Sequence, residues 1–341
     1  MSNELAFKNT LGLPQELVPI MINNLVCEYS SLKKHGTPIT MPLIPFPGED
    51  GRTIDINTGL TYPSKAERAR NNPRVCLLYS EPKGTAIENP PTILVYGHAT
   101  VHDSDLQKNT DRYVQSALTL TQMFRIMPRF IFRQLNGYLA RIWISVTPLK
   151  VLWWPEGDIE KTPQQWLAPE GTQAPPSDPQ PKRLSTRHKP LVVIPTDWSK
   201  EITYALEHLG DPILTVVDAE GYPVPFRARS GSLVSEGLYL DLPSGMPVEA
   251  QGRGCLTFHS LQVKNGEMTS NENMSFSGNV SKDGDQALFK VRRQLPGASF
   301  KTDISGMLSM GKFMLSLKKR LEPEATRRGQ PVPKVRFQGE Y

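Results

Sequence analysis

Cysteine is scarce in this chain: three residues among 341, with Cys27, Cys76 and Cys255 standing far apart. So few thiols exclude a disulfide scaffold, and their spacing matches no zinc site. All three lie in or beside apolar runs, where a reduced cysteine serves as a small buried hydrophobe. Histidine is rare as well, six in all, and no dedicated metal site is expected. No window of about 18 apolar residues exists, so no membrane-spanning helix is expected. The opening "MSNELAFKNTLGLPQEL" lacks the basic-then-apolar layout of a signal peptide, which makes the cytoplasm the expected compartment. Also missing are a G-x-S-x-G elbow, a P-loop and a G-x-G-x-x-G turn between strand and helix. No compact acid pair of the glycosidase kind stands out. Catalytic residues are therefore left unassigned.

Neither sign of charge dominates. The net charge is +5 and the pI about 9.0. Much of the imbalance sits in residues 303–341, with eight Lys/Arg against four Asp/Glu. A basic chain invites a nucleic-acid reading. No zinc finger, RNA-binding signature or repeated basic–aromatic pattern accompanies it, so nucleic acid is not an expected partner. The run "ISGMLSMGKFMLSLKKRL" has helical spacing, with Ile304, Leu308, Met310, Phe313, Leu315 and Leu321 on one broad apolar face. It is expected to pack back on the body. "RIMPRFIFRQL", with Arg125, Arg129 and Arg133 four apart, is amphipathic and expected to cover a barrel end. Weak contact with a membrane surface is the alternative.

What the chain has in abundance is proline. Eight prolines fall between Pro155 and Pro190, a stretch that cannot form a regular helix or a central strand. The expected organisation follows from it: a first β-domain over 1–155, a linker over 156–190, a second β-domain over 191–300, and a basic helix and tail over 301–341. The first half reads as short strands separated by Gly, Pro and Asp turns.

The second half repeats the first. "VCEYSSLKKHGTPITMPL" matches "ILTVVDAEGYPVPFRA", each a strand, a polar turn with Gly-x-Pro, and another strand. "DGRTIDINTG" matches "EGLYLDLPSG", "NNPRVCLLYS" matches "GRGCLTFHS", and "LVYGHATVHD" matches "MSFSGNVSKD". Four blocks in the same order imply a duplicated β-domain and an internal pseudo-dimer.

The copies differ at one informative place. The first carries "TGLTYPSKAERARNNPRVCLLY" (58–79); the second has the shorter "LPSGMPVEAQGRGCL", with no lysine at the place of Lys65. A fold that forms without the Ser64-Lys65 turn does not need it for folding, so the turn in copy one points to function. "PSKAERAR" can open a helix, and orphan amides, a hydroxyl and cations together suit a phosphate.

These residues also carry a family resemblance. Ser64-Lys65, then Asn72-Pro73-Arg74-Val75, then Gly97-His98-Ala99-Thr100-Val101, resemble the pyridoxamine 5′-phosphate oxidase-like FMN-binding split-barrel superfamily. The fold implied is mainly β (α+β), with two tandem six-stranded split barrels and peripheral helices. The resemblance implies a flavoprotein, with FMN as cofactor, acting as an oxidoreductase on a small organic substrate by hydride transfer through flavin N5. A deazaflavin in the same slot is the alternative cofactor, and haem or a non-catalytic binding role ranks third. It would place Thr40, Met41, Pro42, Leu43 and Ile44 along the ring and ribityl chain. Asn57 and Thr58 would lie near the phosphate, with Ser64 and Lys65 on it. Arg68 joins them by charge and spacing, and His98, Trp153 and Trp154 are candidates for lining the ring. The strand "TMPLIPF" lacks the cations found at its ends in the oxidase itself, which argues against vitamin B6 oxidation. A duplicated chain supplies both walls of a dimer groove, so a monomeric pseudo-dimer and a homodimer are both compatible with it.

Overall fold

The structure is a computed structural model. It describes residues 9–120, 122–184, 196–284, 286–296, 304–337 and 339–340, and for helix residues 122–123 and 304–312 the backbone alone. Two antiparallel sheets built alike make up the body. The first holds β1 (Cys27–Leu32), β2 (Pro38–Leu43), β3 (Phe46–Pro47), β4 (Ile54–Gly59), β5 (Arg74–Tyr79), β6 (Thr92–His102), β7 (Arg141–Trp154) and β8 (Gln164–Leu167). Its order is β2-β1-β5-β6-β7-β4-β3, with β8 against β7. The second holds β9 (Ile213–Val217), β10 (Pro223–Arg227), β11 (Arg229–Val234), β12 (Gly237–Asp241), β13 (Gly252–Lys264), β14 (Glu267–Asp283) and β15 (Gln286–Leu295). Its order is β10-β9-β13-β14-β15-β12-β11.

The two orders are the same order. β1 corresponds to β9, β2 to β10, β4 to β12, β5 to β13, β6 to β14 and β7 to β15. The four sequence blocks that match in pairs fall on these equivalent strands. Each barrel thus has the six expected strands and a further edge strand, β3 or β11, and the first also carries β8. The duplication extends to an irregularity. The β6–β7 register shifts between Tyr96 and Gly97, and the β14–β15 register between Ser277 and Gly278. A Cβ on Gly97 would lie 2.7 Å from the Thr147 carbonyl oxygen, and one on Gly278 would lie 2.2 Å from that of Lys290. Only glycine lets the backbones approach so closely at these bulges.

The helices are α1 (Val18–Asn23), α2 (Ser64–Asn71), α3 (Leu106–Leu120), α4 (Gln122–Ile126), α5 (Arg129–Gln134), α6 (Asn136–Leu139), α7 (Trp198–His208) and α8 (Ile304–Thr326). α2 joins β4 to β5, and α3 to α6 join β6 to β7. The second barrel has no helix between β12 and β13, where the first has α2. The cap of α3 is Asp105, whose Oδ1 accepts the Lys108 amide at 2.9 Å. Asp103 is held by Arg70 and Arg328, each at 2.8 Å. Pro128 divides the amphipathic stretch into α4 and α5, since proline cannot continue a helix.

The proline-rich segment is more ordered than its composition implies. Gln164–Leu167 adds an edge strand to β7, the one sheet position open to such a chain. Further on, the Pro175 carbonyl accepts from Thr100 Oγ1 at 2.7 Å and the Asp178 amide donates to Val101 O at 2.9 Å. The segment therefore lies along β6. The boundaries expected near residues 190 and 300 fall outside the described residues.

Each barrel has its own core, with Tyr29, Ile56, Leu77 and Ile144 in the first and Phe258, Phe276 and Phe289 in the second. A third apolar layer joins them: Cys76, Leu78, Tyr96 and Trp154 pack against Ile213, Tyr222 and Val224. Polar contacts are buried in this seam. Thr40 Oγ1 meets Thr215 Oγ1, and lies 2.7 Å from Ser30 Oγ. His259 Nε2 lies 2.7 Å from Glu28 Oε1, both side chains fully buried. All three cysteines are buried and free, and burial pushes their thiols up. Among the described residues no helix is long and apolar enough to cross a membrane.

Candidate functional site

α2 lies on the first barrel because Ala66 and Ala69 bury one face against it. Its cations then divide by partner. Arg70 is tied to Asp103, and Arg74, just beyond the helix, stacks over Tyr222 of the second barrel with its guanidinium carbon 5.9 Å from the ring centre. Lys65 and Arg68 pair with no acid among the described residues. Lys65 Nζ sits 5.5 Å from the centre of the Tyr62 ring. Arg68 Nε donates to Ser31 Oγ at 2.9 Å.

A third cation completes the group. Arg141 opens β7 opposite Gly59 and is 3% exposed. It donates to Tyr62 Oη at 3.1 Å and to the Tyr138 carbonyl, and its guanidinium lies over the Tyr113 and Tyr138 rings. Among the described residues no carboxylate pairs with Lys65, Arg68 or Arg141. Burial, followed by the nearby guanidinium groups of Arg68 and Arg141, pushes the Lys65 pKa down to about 7. Burial likewise lowers Arg68. Lys33, at the end of the same strand as Ser31, is lowered by burial and by Arg293 of the second barrel and Arg68. A basic strip thus runs from α2 towards the second barrel.

Cations packed together without acids are costly unless an anion joins them. Among the described residues, two buried polar atoms in this region make no hydrogen bond of good geometry, Tyr29 Oη, which lies near Ser31, and Arg141 Nε. Both are hydrogen-bond donors, as are Lys65, Arg68 and the α2 amides at Ser64. The donor set fits a phosphate.

The remaining expected residues are spread out. Asn57 and Thr58 sit on β4 leading into the turn, and Thr58 Oγ1 donates to Tyr62 O at 3.1 Å. Ser64 is exposed at the start of α2. Thr40 is fully buried in the seam, and its carbonyl accepts from Thr257 and Ser275 of the second barrel at 3.2 and 3.4 Å. Met41 packs on Ile39, Cys255 and Leu295. Pro42 is buried, Leu43 borders the first core, and Ile44 packs beside Trp143 and Phe46. His98 stacks on Tyr222 with Nε2 3.1 Å from its hydroxyl, and burial followed by Arg74 lowers its pKa. His102, four residues on, turns instead to Ser145 at 3.0 Å. Trp153 belongs to the first core and Trp154 to the seam, its indole donating to Lys161 O at 2.9 Å. Ser64, Lys65 and Arg68 thus share α2, and Thr58 is tied to the turn before it at Tyr62, while His98 pairs with Tyr222 and Trp153 with the first core.

Arg141, Tyr29 and Ser31 were not among the expected residues. The available signal was the arginine in "YLARIWISV", a lone cation opening an apolar strand. A cleft of about 500 Å³ opens at the other end of the barrel, lined in part by Asn24, Ser80, Glu156 and Arg227. It contains none of the expected residues.

No protein-family profile matches the chain, and no curated protein matches it. Solved structures do. An FMN-binding protein related to pyridoxamine 5′-phosphate oxidase, from Nostoc punctiforme, aligns at 13% identity over 46% of this chain and 87% of its own, with a TM-score of 0.29. An F420 reductase aligns at 16% identity over 41% of this chain and 98% of its own, TM-score 0.30. A FAD-binding protein from Mesorhizobium loti aligns at 16% identity over 40% and 89%, TM-score 0.29. Each alignment spans less than half of this chain. The strand order found twice here is the split barrel that the sequence resemblance implied.

Proposed function

We propose that the first barrel holds the phosphate of a flavin, FMN, between Lys65, Arg68 and Arg141, and that the protein is a flavin-dependent oxidoreductase for a small organic substrate. The observation that carries the reading is the acid-free cluster of three partly or fully buried cations beside a buried tyrosine hydroxyl. Lys65 and Arg68 would neutralise the phosphate, and Ser64 and the first amides of α2 would donate to it. Arg141, gripped by the tyrosines, would stay in place without the ligand, so little ordering would be needed on binding. The bound flavin would supply hydride chemistry. The protein would position it and keep water away, with the second barrel as the other wall of the groove.

The test is a titration of the purified protein with FMN, followed by quenching of flavin fluorescence. Lys65→Ala is expected to weaken binding at least about tenfold, the scale of one charge-assisted contact. Unchanged affinity in the variant would remove Lys65 from the site. An absorbance band at shorter wavelength than that of FMN in the protein as isolated would identify a deazaflavin held by the same cations.

A further inference from the structure

Among the described residues, six large apolar side chains are exposed, and four of them lie on helices: Ile126, Phe130 and Ile131 on α4 and α5, and Leu315 on α8, which packs against α6 just after α5. Ile126 is 73% and Phe130 69% exposed. They are not the fringe of the core, since Phe132, the next residue after Ile131, is fully buried and already anchors the segment. Leaving three such side chains in water within six residues is costly and marks an interaction surface.

The charge around them is mostly positive. Between Asp111 and Glu156 the sequence contains no acidic residue, and none occurs from Ile304 to Leu321. Arg125, Arg129 and Arg133 alternate with the exposed apolar residues, and Lys318 and Lys319 are exposed on α8, whose backbone passes against Gly137 of α6. Two acids reach the rim: Glu267 meets Arg125, and Glu340 lies 2.7 Å from Arg133. Arg129 makes no ion pair among the described residues; it lies 4.9 Å from the centre of the Phe337 ring and near enough to Glu340 to help hold that carboxyl low. No acid pairs with Lys318 or Lys319 among the described residues.

We infer that α4, α5 and the adjoining part of α8 form a docking surface for an anionic lipid bilayer. Phe130, Ile131 and Ile126 would enter the headgroup–acyl boundary, and Arg129, Lys318 and Lys319 would meet lipid phosphates. Short apolar helices flanked by cations bind in this reversible way without spanning the membrane.

The full-length protein is sedimented with vesicles of phosphatidylcholine alone, and with vesicles of equal parts phosphatidylcholine and phosphatidylglycerol. Binding at least about tenfold stronger to the anionic vesicles, and weakened by added salt, is expected. Phe130→Ser with Ile131→Ser should reduce that binding about tenfold or more, and Arg129→Glu should remove the preference for anionic lipid. Both changes are at exposed positions, and an unchanged thermal midpoint checks the fold. In a Phe130→Trp variant, a blue shift of the new emission on anionic vesicles supports insertion. The inference is overturned if the wild type stays in the supernatant with both vesicles, or if the Phe130→Ser, Ile131→Ser double variant binds as well as wild type. It is also overturned if the protein is a dimer that the double variant turns into a monomer, which would make the patch a self-interface.

Discussion

Lys65 illustrates a conflict between stability and binding. Its folded pKa, about 7, lies below the ordinary lysine value near 10.4. The unfolded chain therefore binds more protons between these two values, and stability rises with pH across that window. Below about pH 7 the lysine is charged in both states, and the full cost of holding that charge among guanidinium groups is present. Lys65→Met should therefore stabilise the ligand-free protein at pH 6, with the advantage shrinking as pH rises towards 10; denaturant titration at several pH values checks this. Phosphate affinity should move the opposite way. As pH rises from 7 to 9 the ligand-free lysine loses its proton, so FMN should bind more weakly in that range. A Lys65→Arg variant should show a flatter profile. Thr40 and Arg141 show what single residues hide. Thr40 sits in a strand with ordinary alternation, but its neighbours come from the other copy, about 175 residues away. Arg141 reads as an outlier in an apolar run, and its meaning depends on tyrosines brought together by the β4–β7 pairing and α6. By contrast, the helix that carries Ser64 and Lys65 was legible as a feature of the first copy alone, because the second copy has no helix there.

Elements explain why the cluster is where it is. α2 is inserted into a connection that the second barrel makes with a short loop, so the barrel gains a cationic helix without altering a strand. α8 then holds that region from outside. Leu317, Leu321 and Ala325 are buried. Arg328, 2% exposed, reaches Asp103 at 2.8 Å and Glu324 at 2.7 Å, while Arg327 joins Glu67 of α2 to Glu324. The expected apolar face of this helix is met at Leu321. Leu315 faces solvent, and the side chains of Ile304, Leu308 and Met310 lie outside the described residues. Removing one partner from a buried charge network strands the others. Arg328→Ala should cost roughly 3–5 kcal/mol in denaturant unfolding, because Asp103 and Glu324 lose a buried partner; Arg327→Ala, which frees Glu67 of α2, should leave that helix less fixed and flavin binding weaker. Strand order was legible because the pattern occurs twice; helix ends and the break at Pro128 were less so, since caps depend on partners such as Asp105 and Lys108.

At the scale of the molecule, the two barrels are joined by a seam that is apolar in part and hydrogen-bonded in its middle. Glu28 on β1 and His259 on β13 are its deepest polar link. Ser80 Oγ donates to the same carboxylate oxygen at 3.2 Å, and Arg227 approaches it at 3.7 Å. His259→Ala would leave Glu28 buried without its nearest partner. A loss of roughly 3–5 kcal/mol is expected, read as an earlier midpoint in urea. Probes in both barrels should shift together, because the seam makes them one cooperative unit. Independent transitions would contradict that picture. The pseudo-dimer was legible from the four matched blocks, but the composition of its interface was not, since no local pattern distinguishes a seam strand from a core strand.

The central claim is that the α2 cluster holds a flavin phosphate, and a crystal structure of the protein grown with FMN tests it most directly. The account predicts the phosphate within contact distance of Lys65 and Arg141, with Arg68 closing on it. Flavin bound instead in the cleft beside Ser80 and Arg227, or no flavin bound at saturating concentration, would contradict it.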